Sequence, residues 1–206
     1  MREVKQPEAR KAEIVEAAKY LFMQKGYLQV TTQDIVDDLK ISRGLLYYHF
    51  KSKEDILKYI VEAEALKVEI LLKEITYSNT LSVIEKINQF IEATIIPASA
   101  DTPENRALQE TIQLQENTYM TDRIYRRMTE TMAYYFSDIL EQGNKEGIFN
   151  VSTPKETSFF LMNAYLFTLN SRDFHVNDTA VARKYLSVFH DILEKVLQSK
   201  NRIFDL

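Results

Sequence analysis

Residues 31–55 read TTQDIVDDLKISRGLLYYHFKSKED, and their spacing predicts two short helices joined by a tight turn. Thr31, with Asp34 three residues later, forms a capping box at the start of the first helix. Ser42 is placed to cap a second helix that runs to about Phe50. Two helices of about eight residues across such a turn have the dimensions of a helix-turn-helix.

The second of these helices has an unusual surface. Leu46 and Phe50 are four residues apart, so both side chains can point inward. The remaining positions carry Arg43, Gly44, two tyrosines and a histidine, where an ordinary solvated face carries Glu, Lys or Ala. Gly44 costs up to about 1 kcal/mol of helix stability, so it suits a position that another backbone approaches closely. A DNA phosphate strand or base edge is such a surface, and the pattern therefore indicates a helix that docks on double-stranded DNA.

The same stretch resembles a known protein family. Residues 31–35 (TTQDI) and 42–54 (SRGLLYYHFKSKE) are similar to the N-terminal signature of the tetracycline-repressor (TetR/AcrR) family of bacterial regulators. The signature covers about a quarter of the chain. The resemblance implies a DNA-binding head followed by a helical sensor that pairs with a second copy. It also implies that a small molecule bound to the sensor releases the DNA.

The resemblance further implies a set of DNA contacts, which the chemistry of the side chains supports. Arg43 is expected to read a guanine edge, because its fork matches O6 and N7, and Leu45 to touch a thymine methyl. Thr32 is expected to bind a phosphate through its hydroxyl and backbone N–H. The predicted set is completed by Ser42, Gly44, Tyr47, Tyr48, His49 and, at the positive end of the fourth helix, Lys53. Taken singly, each is equally consistent with a solvated polar side chain, and Tyr47 with a partly buried core ring.

The rest of the chain predicts an all-α fold. Gly and Pro are scarce, with four of each in 206 residues, and apolar positions recur at helical spacing throughout. Start signals such as Thr153-Pro154 and stop signals such as Gly143 delimit about nine helices. The fourth helix is expected to carry Ile56, Ile60, Leu71 and Ile75 inward. We therefore predict a three-helix, helix-turn-helix DNA-binding domain over residues 1–52 and a helical effector-binding and dimerisation domain over residues 53–206.

Charge is unevenly divided along the chain. Residues 1–52 carry nine Lys/Arg and seven Asp/Glu, a balance of +2, whereas the remainder carries a balance of −6 and the whole chain −4. This asymmetry suits a nucleic-acid-facing head and an acidic body, although chance variation in small counts explains it equally well.

Several classes of protein are disfavoured by the composition. The absence of cysteine excludes disulfides, thiolate metal sites and a cysteine nucleophile. The N-terminus lacks an apolar secretion signal, and the longest uncharged stretch, residues 157–171, is shorter than the roughly 20 residues of a bilayer span. We therefore expect a cytoplasmic protein with no membrane partner.

The last two helices are apolar on more than one face, whereas a helix in a single layer buries only one stripe. The surplus predicts a four-helix bundle formed with the same helices of a second copy. The predicted interface residues are Phe159, Met162, Leu166, Phe167, Tyr185, Phe189, Ile192 and Val196. The alternative is that both helices are fully internal.

The fifth to eighth helices are rich in adaptable side chains. Methionine and aromatic walls with a few amides suit a roomy apolar pocket. The predicted effector-binding residues are Phe90, Thr94, Gln109, Gln113, Met128, Met132, Tyr135, Asn163 and Tyr165. Side chains of these types at helical spacing also serve as plain core, which is the alternative for each.

An enzyme and a protein–protein adaptor are the two alternative functions for a helical protein of this size. A di-iron enzyme in a helical bundle needs Glu-x-x-His pairs, and none of the three histidines has a glutamate three positions before it. We therefore expect no enzymatic activity, no cofactor and no metal. A helical protein–protein adaptor without DNA binding leaves the exposed surface of the third helix unexplained. The sequence predicts a ligand-responsive transcriptional regulator, a repressor that binds a near-palindromic operator as a homodimer and is released by a small apolar or amphipathic effector.

Overall fold

The computed structural model describes residues 6–94, 103–112, 114–169 and 179–199, with the backbone alone at 103–106, 109, 179, 180 and 182. These described residues form nine α-helices, which confirms the predicted all-α fold. The helices are α1 (Pro7–Lys25), α2 (Thr32–Leu39), α3 (Arg43–His49), α4 (Lys53–Thr76), α5 (Val83–Thr94), α6 (Pro103–Ile112), α7 (Thr118–Lys145), α8 (Pro154–Leu169) and α9 (Thr179–Leu197).

The chain divides into two compact units. The first comprises Met1–Glu64 and Asp101–Ile124, and the second Ala65–Ala100 and Tyr125–Leu206. Helices α4 and α7 therefore contribute residues to both units. The first unit contains α6 in addition to the predicted head, and the domain boundary at residue 52 stays a prediction from the sequence.

The predicted helix starts of the head are present. Thr31 caps α2 with a complete capping box, in which its backbone N–H donates to the Asp34 carboxylate at 2.8 Å and its Oγ1 accepts from the Asp34 N–H at 3.2 Å. Ser42 caps α3, since its Oγ accepts from the N–H of Leu45 at 3.2 Å. Lys40 lies between the two helices at φ +52°, the left-handed conformation that turns the chain from α2 into α3. The local sequence thus determines the orientation of α3.

The core of the first unit lies beneath these helices. Helix α1 packs against α2 and α6, and its buried residues include Ile14, Ala18, Leu21 and Phe22. Ile35 of α2 and Leu46 of α3 are completely buried as well. The inner sides of α2 and α3 are therefore fixed, and their outer sides are available to a ligand.

The core of the second unit is mainly aliphatic and aromatic. Phe90 and Phe136 pack with ring centroids 5.3 Å apart. Among these apolar groups lies Lys86, whose side chain is buried and donates from Nζ to the backbone oxygen of Thr76 and to Oε1 of Gln142, both at 2.8 Å. Because Thr76 is the last residue of α4, the ammonium group lies at the negative end of that helix dipole.

Two details of the helix predictions are wrong. Leu71 is exposed and its neighbour Leu72 is buried, because α4 buries different faces in the two units to which it contributes. Helix α7 does not stop at Gly143 but continues to Lys145. A Cβ at Gly143 would collide with the ring of Phe149, so this glycine provides space for packing and does not terminate the helix.

Candidate nucleic-acid interface

Helix α3 exposes most of the predicted contact residues on one short element. Arg43 and Gly44 are exposed, and the side chains of Tyr47 and Tyr48 are 50% and 75% exposed. The ring of His49 packs edge-to-face on Tyr48 with centroids 4.9 Å apart. Leu45 is half-buried, and Ser42 is exposed at the helix cap. Half-exposed tyrosine rings in water gain little, whereas on a phosphate backbone their hydroxyls find hydrogen-bond partners.

Thr32, a predicted contact on α2, is joined to α3. Its Oγ1 lies 3.2 Å from the hydroxyl oxygen of Tyr47, within hydrogen-bonding distance. Thr32 is also the first residue of α2, where backbone N–H groups are not used by the helix itself. The two hydroxyls and the start of α2 together form a group of donors suited to one phosphate.

Gln33 is a residue of the site that the sequence analysis missed. Its side-chain oxygen accepts a hydrogen bond from Nε of Arg43, and its Nε2 donates to Oδ1 of Asp37 at 2.5 Å. Gln33 precedes Arg43 by ten residues, so no helical spacing relates them. Only the fold of the turn between α2 and α3 brings these side chains together.

Gly44 faces open space. A Cβ built at this position has no atom within 4 Å, and the backbone is an ordinary right-handed helix. Neither close packing nor an unusual dihedral angle within the protein requires glycine here. Nothing inside the protein compensates for the cost of this glycine to helix stability. A glycine at position 44 is therefore best explained by an external group that approaches the helix closely here.

The start of α2 is held in place by charge. Lys25, the last residue of α1, donates to Oδ1 of Asp34 at 2.8 Å, while the other carboxylate oxygen accepts from Thr31. The hydrogen bond from Lys25, followed by those from Thr31, holds the pKa of Asp34 well below its ordinary value of 3.8. The carboxylate therefore stays ionised while it ties α2 to α1.

Lys53, the predicted phosphate ligand at the start of α4, also has a partner within the protein. Its Nζ donates to the backbone oxygen of Tyr27 at 2.8 Å and lies 4.3 Å from the centre of the Tyr27 ring. The ring is buried, and its burial, reinforced by the charge of Glu54, raises the pKa of Tyr27. Lys53 fastens the start of α4 to the short turn before α2 with one of its three ammonium hydrogens, and its contact with a phosphate stays a prediction.

Comparison with known proteins identifies the family. Residues 14–60 match the model described as bacterial regulatory proteins, tetR family, and residues 101–192 match the tetracyclin repressor-like C-terminal domain. The chain belongs to the tetR family of bacterial regulatory proteins. The resemblance found in residues 31–54 is thereby confirmed.

Individual tetR-family relatives match in the head or along most of the chain. The HTH-type transcriptional regulator YfiR of Bacillus subtilis is 43% identical over 53 residues, which span 26% of either chain. The regulator QacR of Staphylococcus aureus is 26% identical over 165 residues, 75% of this chain and 81% of QacR. The structure of GusR from Salmonella enterica superposes with a TM-score of 0.69 at 18% identity, covering 96% of this chain and all of GusR. The GusR likeness concerns the fold alone.

As a tetR-family member, the protein is a DNA-binding transcriptional regulator. Members of the family are typically ligand-responsive repressors that act as dimers, and they are generally not enzymes. The comparisons do not favour a protein–protein adaptor. None of the described helices is long and apolar enough to span a membrane. Over the same described ranges, no three His, Asp or Glu side chains are grouped so that they could hold a metal ion.

This tetR-family chain exposes seven large apolar side chains on its last two described helices. They are Phe159, Phe160 and Phe167 of α8 and Tyr185, Val188, Ile192 and Val196 of α9. The two helices pack together, since the rings of Tyr165 and Phe189 stack at 4.5 Å. We call the seven exposed residues the α8–α9 apolar surface.

The predicted dimer residues fall into two groups. Phe159, Phe167, Tyr185, Ile192 and Val196 belong to the α8–α9 apolar surface. Met162 is completely buried, Phe189 is nearly so, and Leu166 is half-buried against the core of the same protomer. Met162 and Phe189 therefore belong to the core of their own protomer, and a contact of Leu166 with a partner stays a prediction. Phe160, which is 76% exposed, and Val188 were missing from the predicted set.

The predicted effector residues are likewise divided. Phe90, Met132, Tyr135 and Tyr165 are buried in the core of the second unit, with Met128 partly buried against it. Thr94 and Tyr165 are brought together, with their hydroxyl oxygens 3.0 Å apart. Burial raises the pKa of Tyr165 to about 12.

The remaining predicted effector residues lie elsewhere. Asn163 is exposed on α8, where its Nδ2 donates to the backbone oxygen of Phe159 at 2.7 Å, and its role in effector binding stays a prediction. Gln113 and the side chain of Gln109 lie outside the described residues.

Proposed function

We propose that this protein is a repressor that binds a near-palindromic operator as a homodimer and is released by a small apolar or amphipathic effector. The observation that carries the DNA-binding part is the outer side of α3. It presents an arginine, two tyrosines and a glycine without a packing role beside the start of α2.

In this proposal Arg43 and Leu45 read bases, and the other residues position the helix. Arg43 keeps its two terminal guanidinium nitrogens for a guanine edge, since its Nε is bonded to Gln33. Thr32 and Tyr47 bind one phosphate together. Tyr48 and His49 lie further along α3 and bind the next phosphate of the backbone. Ser42 contributes as the cap that begins α3. Gly44 contributes as the position at which the DNA approaches the helix most closely. Lys53 is kept as a further phosphate ligand, since the hydrogen bond to Tyr27 uses one of the three donors of its ammonium group.

Dimerisation is proposed to occur through the α8–α9 apolar surface. Phe160 and Phe167 are 76% and 81% exposed, although each is as large as the buried rings of the core. Several exposed apolar side chains of this size on two helices that pack together suit a protein interface better than a solvated surface. Two copies related by a two-fold axis place two α3 helices in successive major grooves, which predicts inverted half-sites about one helical turn or slightly more apart.

The effector is proposed to bind in the second unit, near the Thr94–Tyr165 pair. These two hydroxyls are polar groups beside a mainly apolar core, and polar groups of this kind orient ligands in apolar sites. Helix α4 contributes residues to both units and provides a covalent route to the head. DNA binding by the family is the basis for placing the protein in the bacterial cytoplasm.

One selection experiment tests the DNA part of the proposal. The full-length chain is mixed with a randomised duplex library, and bound duplexes are sequenced after several rounds. We expect enriched sequences to contain two inverted half-sites, with affinity falling by orders of magnitude between about 50 and 200 mM salt. Enrichment of a single half-site, or binding independent of salt, contradicts the proposal.

A further inference from the structure

Helices α2 and α3 are connected by a chain of three side chains on the outer side of the head. Arg43, the first residue of α3, donates from Nε to the side-chain oxygen of Gln33. Gln33 in turn donates from Nε2 to Asp37, one turn further along α2, at 2.5 Å. The chain runs from a charged donor through an amide to a charged acceptor.

The chemistry of its two ends determines the orientation of the central amide. An ionised carboxylate only accepts hydrogen bonds, and a guanidinium only donates them. The amide of Gln33 can satisfy both partners only when its NH₂ faces Asp37 and its oxygen faces Arg43. A flipped amide would place donor against donor and acceptor against acceptor. Asp37 therefore keeps the Gln33 oxygen directed at α3.

This arrangement orients Arg43 before DNA arrives. A free arginine side chain samples many rotamers and loses that freedom when it binds a base. A hydrogen bond at Nε restrains the plane of the guanidinium while leaving both terminal nitrogens available. Two adjacent N–H donors in one plane are what the O6 and N7 atoms of guanine require.

We propose that Gln33 is a positioning residue that holds the Arg43 guanidinium in its base-reading orientation, and that Asp37 fixes Gln33 in turn. The inference rests on the proposed role of Arg43 as a base reader. In this proposal the three residues contribute to discrimination between base sequences, and they do not contribute to the general affinity for phosphates.

The first test compares Gln33→Met with Gln24→Met, the same substitution at an exposed glutamine of α1. Binding is measured on the library-selected duplex and on a panel of duplexes that each change one base pair, at several salt concentrations. Arg43→Ala identifies the base pair that Arg43 reads. We expect Gln33→Met to lower discrimination at that pair by about tenfold and to leave the salt slope unchanged. Gln24→Met should behave as the wild type.

The second test is a charge-conserving exchange. The double variant combines Gln33→Glu with Asp37→Asn. The new carboxylate at position 33 accepts a hydrogen bond from Arg43, and the new amide at position 37 donates a hydrogen bond to that carboxylate. The pair keeps its total charge of −1, so general electrostatics are conserved. We expect the double variant to recover most of the discrimination that Gln33→Met loses. Gln33→Glu alone faces Asp37 with a like charge and should not recover it.

Each outcome of these tests decides a different point. Wild-type or improved discrimination in Gln33→Met overturns the positioning role and leaves the proposed function intact. Gln33→Met can instead lose discrimination at another base pair, and this loss can persist in the Arg43→Ala background. Gln33 then reads a base itself, and the positioning role is overturned. If Arg43→Ala leaves base preference unchanged, Arg43 is not a base reader and the proposed site fails with the inference. Circular dichroism and thermal unfolding of each variant verify that helix content and stability match those of the wild type.

Discussion

The hydroxyl oxygens of Thr32 and Tyr47 lie 3.2 Å apart and join the start of α2 to the middle of α3. Because both groups are proposed to hold the same phosphate, Tyr47→Phe removes one donor and leaves the ring in place. We expect affinity to fall about three- to tenfold on every duplex, with base preference unchanged. Fluorescence anisotropy on selected and unrelated duplexes measures both quantities. Tyr20→Phe, at an exposed tyrosine of α1, is the control, and a change confined to one base pair contradicts the phosphate role.

Gly44→Ala separates stability from DNA binding. Since the added methyl meets no atom within 4 Å, we expect the free energy of unfolding to rise by up to about 1 kcal/mol. DNA affinity should fall nevertheless, because the methyl projects from the surface that meets the duplex. Thermal unfolding and DNA titration measure the two effects. Gly143→Ala is the contrasting control and should destabilise, because its methyl collides with Phe149. Unchanged affinity in Gly44→Ala means that DNA does not approach this position.

Phe167→Glu tests the α8–α9 apolar surface. Phe167 is 81% exposed in the protomer, so a glutamate is tolerated by the fold but unfavourable in an apolar interface. We expect monomers in sedimentation velocity and a loss of at least tenfold in operator affinity, with an unchanged helical spectrum. Tyr119→Glu replaces a similarly exposed aromatic residue outside this surface and should remain dimeric. A dimeric Phe167→Glu places the interface elsewhere.

Asp34→Asn should show a stability loss that depends on pH. The pKa of Asp34 is lowered in the folded state, so its ionised form stabilises the protein above its ordinary pKa of 3.8 and that contribution is lost as the pH falls below it. We therefore expect Asp34→Asn to be less stable than the wild type at neutral pH and the difference to shrink in acid. Urea unfolding at a series of pH values measures this, with the exposed Asp38→Asn as control. A difference that grows on acidification contradicts the Lys25–Asp34 contact as its cause.

The local features of the head were predictable from the sequence because they depend on near neighbours. The capping box of Thr31 and Asp34 and the cap at Ser42 involve residues three apart, and both were found where the spacing placed them. Lys53 could not be placed in this way. Its partner Tyr27 lies 26 residues earlier and offers a backbone oxygen, which no side-chain pattern reveals.

Long-range packing limited the prediction in the second unit. An apolar residue on α8 or α9 has the same sequence signature whether it faces the core, as Met162 does, or solvent, as Phe167 does. Lys86 shows the opposite problem, because a lysine is expected at the surface yet is buried with two neutral acceptors. Both cases depend on which helices meet in the fold.

The packing of α6 on α1 also affects how the head is made during translation. The first compact unit combines the N-terminal helices with residues that follow after a long intervening segment. A nascent chain that has emerged only as far as α3 still lacks the helix that covers part of α1. The head therefore gains its packing partner α6 only after the ribosome has extruded that helix, and a fragment ending at residue 52 would lack this contact.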